Sequence, residues 1–273
     1  MIEVLSTLSA ISRMDEPSPR FLEIFFEIFG LLPRQCPGNL ASARKALGLC
    51  ENLPEAPEIL DLGCGTGSQA LQLAELTQGS ILAVDIHAPS IEKLNQKLTQ
   101  FGLMERIRSQ VGDMRELALA ESSFDLIWSE GAFYNIGIQQ ALSISAGLLR
   151  KGGYLVFSDA VWCKANLPDA VKAIFESDYP AMGSVADLVP LIERSPFELL
   201  DHFPLPPEAW WDDFYTPMER LVEESRGKYA NDPEALEILE QVALEPAAHR
   251  KNSDYYNYEF FISQLPKSSS KLN

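Results

Sequence analysis

The sequence predicts an α/β domain, with a parallel sheet covered by helices on both faces. Three observations carry this expectation. Between roughly residues 58 and 160, five short apolar runs ("EILDL", "SILAVDI", "RIRSQVGD", "FDLIWSE" and "GGYLVFSD") alternate with helical patterns. Strands that are apolar throughout are buried on both sides, and strands separated by helices pair in parallel through right-handed crossovers. The first run ends in Gly63, Gly65 and Gly67, directly before the helical "SQALQLAEL". The 273 residues are 46% hydrophobic and 22% charged, which suits a globular chain with room for one large α/β domain or two small ones.

Each element has its own justification. Residues 1–50 read as a helical prelude. Within it "FLEIFFEIFGLL" is too short to span a bilayer, and Glu23 and Glu27, four apart, share one face. An amphipathic helix packed on the domain is expected. "LLPRQCPGN" reads as a loop, followed by a short helix from about Ala41 to Leu49. "SQALQLAEL", "SIEKLNQKLTQFG" and "IQQALSISAGLLRKG" are the helices between the five strands, and "MRELALAESS" is rich in turns. After Ala160, seven prolines between Pro168 and Pro207 break the chain into short pieces. Helices are expected at about 168–178, 184–194, 217–230 and 233–243, and strands at "FELLDHFPL" and "YYNYEFFISQL". The second of these alternates and is rich in Tyr and Phe, as a strand should be. The tail "KSSSKLN" is expected to fray.

Charge and cysteine usage narrow the function. A net charge of −17 and a pI near 4.6 repel phosphate backbones and anionic lipid, so neither nucleic acid nor membrane is expected as a partner. Cys36, Cys50, Cys64 and Cys163 form no C-x-x-C pair, and His87, His202 and His249 are widely spread, so no metal site is expected. Scattered cysteines and the lack of a basic, then apolar, N-terminal stretch point to a reducing, cytoplasmic setting.

The glycine turn carries the chemistry. Asp61 sits near the end of the first strand, and the three glycines let the chain reverse tightly so that a ligand can touch bare backbone. The first N–H groups of the next helix favour an electron-rich ligand atom. A phosphate loop would need a Lys after the glycines, and none is there. A dinucleotide fingerprint would need G-x-G-x-x-G, but its third place is Ser68, with Gly67 one residue early.

"ILDLGCGTG" resembles the first motif of the class I S-adenosylmethionine-dependent methyltransferases, apolar-apolar-D-x-G-x-G-x-G, at each place. "AVDI", "VGDM", "FDLIWSEG" and "LLRKGGYLVFSD" agree with that family in order and spacing, over about residues 55–160. "RQCPGN", "WSEGAFYNIG" and "YYNYEFFI" are similar to a narrower group of small bacterial and archaeal methyltransferases that fixes no substrate. The resemblance implies a Rossmann-like, seven-stranded, mostly parallel sheet whose last strand is antiparallel. It also implies an N-terminal helical extension and a lid inserted between strands five and six. The whole chain would be one methyltransferase domain: a helical cap over 1–50, a cofactor core over 55–160, a substrate lid over 160–215 and late strands and helices over 197–265.

The cofactor implied is S-adenosyl-L-methionine, with S-adenosyl-L-homocysteine as product. Asp61, Gly63, Gly65 and Gly67 would form its turn, and Asp85, with Ile86 beside it, would hold the ribose hydroxyls. Asp113 would take the adenine amino group, with the backbone of Met114 against the ring. Ser129 and Glu130 would face the methionine end, and Arg34 and Gln35 would reach the methionine carboxylate from their loop. Glu130, Tyr134 and Asp159 are the catalytic candidates. Tyr134, Asn135, Trp210, Trp211 and Tyr215 are the substrate-binding candidates, the last three as a possible aromatic cage for an ammonium group. The expected activity is in-line methyl transfer to a small-molecule acceptor by a monomer or homodimer. An NAD(P)-dependent oxidoreductase and a non-catalytic S-adenosylmethionine-binding module are the alternatives. The chain has no N/D-P-P-[FYW] motif, which disfavours amino-group methylation of DNA bases or glutamine.

Overall fold

The computed structural model describes residues 18–176 and 179–267. The expectations placed on residues 1–17 and on the tail beyond Lys267 lie outside the described residues. Seven strands form one sheet in the order β3-β2-β1-β4-β5-β7-β6. They are β1 (Glu58–Leu62), β2 (Ser80–Asp85), β3 (Ile107–Val111), β4 (Phe124–Glu130), β5 (Leu149–Trp162), β6 (Glu198–Pro204) and β7 (Tyr256–Gln264). The first five pair in parallel; β7 runs antiparallel to both β5 and β6. Chain order reverses between β1 and β4, and ligands of open α/β sheets bind beyond the carboxyl ends of the strands at such a point.

Helices cover both faces, as strands apolar on both sides require. Along each strand successive residues feed opposite cores. Ile59, Ala83, Trp128 and Val156 pack on one side with α2 (Leu40–Gly48), α3 (Ser68–Leu76) and α4 (Ala88–Phe101). Leu60, Val84, Ile127 and Leu155 pack on the other with α5 (Ile138–Leu148) and α7 (Val185–Arg194). Between these last two, α6 (Asp169–Phe175) is short and irregular in its setting. α7 begins in a capping box between Ser184 and Asp187.

The third core lies outside the sheet and organises the site. α1 (Pro19–Phe29) starts where the Ser18 hydroxyl accepts the Phe21 N–H, with Pro19 at the first helical position. Its Ile24 and Ile28 pack against Met218 and Val222 of α8 (Thr216–Lys228) and Leu239 of α9 (Pro233–Asn252). Glu27 accepts from Lys228 Nζ at 2.7 Å and from the Tyr229 hydroxyl at 2.9 Å, and Arg20 donates to Asp232 at 2.7 Å. The helix is amphipathic as expected, but its acidic face is tied to neighbouring elements.

Two expectations are corrected. The segment over 160–215 is not a single lid between β5 and β6, because β6 divides it at Glu198–Pro204. Trp210, Trp211 and Tyr215 therefore lie between β6 and β7, in a one-turn helix, Glu208–Trp210, and the π-turn that continues it, Trp211–Tyr215. The last helix also runs beyond 243 to Asn252, through Pro246. Pro246 and His249 are buried there, and side-chain burial holds the helix past the lost backbone hydrogen bond. No described helix is long and apolar enough to cross a membrane.

Candidate functional site

Backbone conformation builds the first wall. Gly65 and Gly67 have φ of 52° and 89°, a region that residues with a Cβ avoid. Neither has room for one: a Cβ would come 2.3 Å from Gln35 Oε1 at Gly65 and 2.2 Å from Leu94 Cδ1 at Gly67. This turn borders a cavity of about 520 Å³ beyond the ends of β1, β2 and β4, within the usual range of small-molecule sites.

Ten of the residues singled out from sequence line this cavity: Gln35, Gly63, Gly65, Asp85, Ile86, Asp113, Met114, Glu130, Tyr134 and Asn135. Asp85 Oδ2 accepts the Gly65 N–H and Oδ1 the His87 N–H, each at 2.8 Å, which aims the carboxylate across the turn. Gln35 Oε1 accepts the Thr66 N–H at 2.9 Å while its Nε2 donates to the Phe29 carbonyl at 3.3 Å. Gln35 thus joins the glycine turn to α1. Asp113 is held by the Arg115 guanidinium, 2.5 Å away at the closest, which pulls its carboxyl down to about 2. Asn135 Nδ2 donates to the Ala132 carbonyl at 3.0 Å.

Arg34 and Glu130 form a closed buried unit. Arg34 Nη2 donates to Glu130 Oε2 at 2.5 Å and Nη1 to Gln72 Oε1 at 2.9 Å, and Trp128 Nε1 donates to Glu130 Oε1 at 2.7 Å. Burial is the largest influence and would depress the guanidinium, but the Glu130 charge, Cys36 and the hydrogen bonds to both together outweigh it and hold Arg34 above its ordinary range. Gly38 makes room for the pair, since a Cβ there would fall 2.4 Å from Arg34 Nη2. Arg34 does not line the cavity, and both Glu130 oxygens already accept hydrogen bonds. Neither is arranged as a free methionine-carboxylate ligand or a free base.

Asp61 lies fully buried beneath the turn, and neither carboxylate oxygen has a hydrogen-bond partner. Burial first, and then the charges of Glu130 and Asp85, push its carboxyl well up, against weaker help from Arg34 and the Ala70 N–H. Ser129 is buried and donates to the Leu62 carbonyl at 2.8 Å, tying β4 to β1. Asp159 is buried outside the cavity lining, with its Oδ2 3.4 Å from the Tyr179 hydroxyl.

The aromatic segment after β6 is core. Trp210 is buried, donates to Asn257 Oδ1 at 2.7 Å and stacks on His249 at 4.0 Å. The guanidinium of Arg250 covers the Trp211 ring at 4.4 Å, and the Tyr215 hydroxyl donates to Glu245 at 3.1 Å. These rings are filled by the chain's own cations and imidazole, so they do not form an open ammonium cage; none lines the cavity. The sequence reading missed the cavity roof. Phe25, Phe26 and Phe29 of α1 line it, and Phe26 stacks on His87 at 4.2 Å. The spacing of Phe25 and Phe26 four and three residues before Phe29 within "FLEIFFEIF" was the available signal. Cys36, Gln72 and Tyr179 were missed as well.

The sheet order, the glycine turn after β1 and the acid after β2 have the form of the class I S-adenosylmethionine-dependent methyltransferases. Residues 59–153, about a third of the chain, match the family described as a methyltransferase domain. Among curated proteins it is similar to a methyltransferase, GfsG, of Streptomyces halstedii, at 27% identity over 53% of this chain and 54% of the relative. It is similar at 27% identity to a sarcosine/dimethylglycine N-methyltransferase of Aphanothece halophytica, over 59% of this chain and 60% of that protein. The chain thus spans little more than half the length of these relatives. Among solved structures, a Thiobacillus denitrificans S-adenosylmethionine-dependent methyltransferase bound to S-adenosylhomocysteine superposes with a TM-score of 0.77 at 18% identity, over 92% of this chain and all of that one. A Geobacter sulfurreducens counterpart gives 0.75 at 16% identity, over 88% and 97%. At these identities the structural likeness speaks for the fold.

Proposed function

We propose that this chain transfers the methyl group of S-adenosylmethionine to a small-molecule acceptor by in-line displacement. The observation that carries the reading is the acidic glycine-turn cavity. Asp85 and Asp113 line it, and the cations Arg34 and Arg115 are each taken by a carboxylate. Such a site suits a cationic sulfonium ligand and repels the pyrophosphate of a dinucleotide. Asp85, each of whose oxygens keeps a lone pair beyond the Gly65 or His87 N–H it accepts, would take both hydroxyls of a ribose, and Asp113 and Met114 would flank the base. When bound, S-adenosylmethionine supplies a methyl group already activated by its sulfur, so the protein's task is alignment. The rings of Phe25, Phe26 and Phe29 give the cavity an apolar wall against which the reactants can pack. The relatives' names, several of them methyltransferases of small molecules, support a small acceptor.

The test is transfer of isotopically labelled methyl from S-adenosylmethionine into a panel of aromatic hydroxyl compounds, small amines and amino acids. Label in a small-molecule product, with one equivalent of S-adenosylhomocysteine formed, is expected. Tight cofactor binding with no transfer across the panel would make the chain a binding module.

A further inference from the structure

Thr66 sits in the middle of the glycine turn, 2% exposed and bordering the cavity. Its N–H donates to Gln35 Oε1 at 2.9 Å. Its carbonyl and its hydroxyl both accept from one ammonium, Lys97 Nζ of α4, at 2.9 and 3.1 Å. The Gly65 N–H just before it goes to Asp85 Oδ2 at 2.8 Å, and the Gly67 N–H after it to the Cys64 carbonyl at 2.9 Å. Gln35 and Asp85 line the cavity, whereas Lys97 does not.

A lysine on a helix surface ordinarily lays its stem on the protein and sends its ammonium to water. Lys97 is half-buried instead, and the hydrogen bonds it donates among the described residues go to Thr66. Burial, and then the charge of Lys93 one turn earlier, pull its ammonium below the ordinary lysine range. What offsets that cost is two oxygens of the turn, reached by charge-assisted hydrogen bonds that are stronger than neutral ones. The turn needs such a hold. Glycines at positive φ stand on either side of Thr66, so its backbone has many conformations open to it, and a ligand that had to order them would bind more weakly. The same turn anchors the cavity roof. Gln35 Nε2 donates to the Phe29 carbonyl at 3.3 Å, and the Ser68 hydroxyl donates to the Pro33 carbonyl.

Building on the methyl-transfer reading, we propose that Lys97 is a positioning residue for the cofactor, which acts through Thr66 to hold the glycine turn in the conformation that the nucleoside meets. Lys97 touches neither cofactor nor acceptor. Its ammonium fixes the carbonyl and hydroxyl of Thr66, and Gln35 fixes the N–H. With both in place the turn presents a preformed wall to the ligand.

Lys97→Met keeps the stem and removes the ammonium. The native protein and the variant are compared without ligand by amide hydrogen exchange, and then by calorimetric titration with S-adenosylhomocysteine. In Lys97→Met the Thr66 and Gly67 N–H groups should exchange about tenfold faster while those of β1 keep their native rates, and S-adenosylhomocysteine should bind about tenfold more weakly. Thr66→Val, which keeps the carbonyl and removes the hydroxyl, should weaken binding less. Lys97→Met should then cost less in that background than in the native one, because the two changes share a contact. A native protein that fails to bind S-adenosylhomocysteine overturns the methyl-transfer reading and this inference with it. Native binding overturns this inference alone if Lys97→Met stays within about threefold of native affinity, if the two losses simply add in the double variant, or if exchange quickens equally through β1.

Discussion

Two carboxylate–guanidinium pairs flank the cavity, and both close to 2.5 Å. Arg34 and Glu130 expose 2% and 1% of their side chains, whereas Arg115 and Asp113 expose 52% and 27%. Equal distance does not mean equal consequence. Water already competes for the exposed pair, so a ligand group can take over an Asp113 oxygen at little cost. The buried pair has left water altogether, and each member depends on the other and on Gln72 and Trp128. The first pair can recognise a ligand. The second fixes the loop before α2 against the end of β4, and with it the shape of the cavity.

The largest effect should come from separating the buried pair. Arg34→Ala leaves Glu130 buried and unpaired and should cost about 3–5 kcal/mol in chemical denaturation. A double Arg34→Met, Glu130→Met variant should recover most of it. A loss below about 1 kcal/mol from the single change would put this pair on the surface pair's footing.

A buried group kept neutral gives the next effect. Burial, and then Arg250, pull the His249 imidazole down to about 4. The unfolded chain therefore binds a proton that the folded protein refuses, and stability falls as pH drops from about 6.5 to about 4, by at most about 3 kcal/mol. His249→Phe should flatten urea midpoints measured across that window; an unchanged slope would assign the pH dependence elsewhere.

Gly67→Ala should cost about 1–3 kcal/mol, from the positive φ and the clash with Leu94. Calorimetric unfolding within error of native would mean that the turn relaxes. The smallest effect belongs to the exposed pair. Arg115→Ala should leave the unfolding midpoint nearly unchanged at neutral pH, because water screens so exposed a pair; the little it adds there fades as pH falls from about 4 towards 2. Asp113→Ala should instead weaken S-adenosylhomocysteine about tenfold in calorimetry. A large stability loss from Arg115→Ala would erase the contrast between the two pairs.

The same contrast explains what was legible in the sequence. The glycine turn, Asp85 and Asp113 lie within short, ordered motifs that bring their geometry with them, so their place at the cavity could be read directly. The bond between Arg34 and Glu130 spans 96 positions, and nothing local in either stretch announces it. Trp210, Trp211 and Tyr215 beside acids invited a ligand cage, but His249 and Arg250 from α9 fill those faces. Composition reveals aromatic area, while only the tertiary fold decides whether it meets a ligand or its own chain. The sheet was legible through β5 because its strands alternate with helices. The last two strands were legible too, at "FELLDHFPL" and "YYNYEFFISQL"; only the lid's upper bound ran past β6, since prolines mark breaks without saying which neighbour a segment packs on.

The glycine turn and Asp85 are proposed to hold the nucleoside shared by S-adenosylmethionine and S-adenosylhomocysteine. Isothermal titration of the native protein and of Asp85→Ala with S-adenosylhomocysteine and NAD tests it most directly. The native protein should bind S-adenosylhomocysteine at one site and NAD not measurably, and Asp85→Ala should weaken the former at least tenfold. Saturable NAD binding without S-adenosylhomocysteine binding, or an Asp85→Ala variant of native affinity, would contradict it.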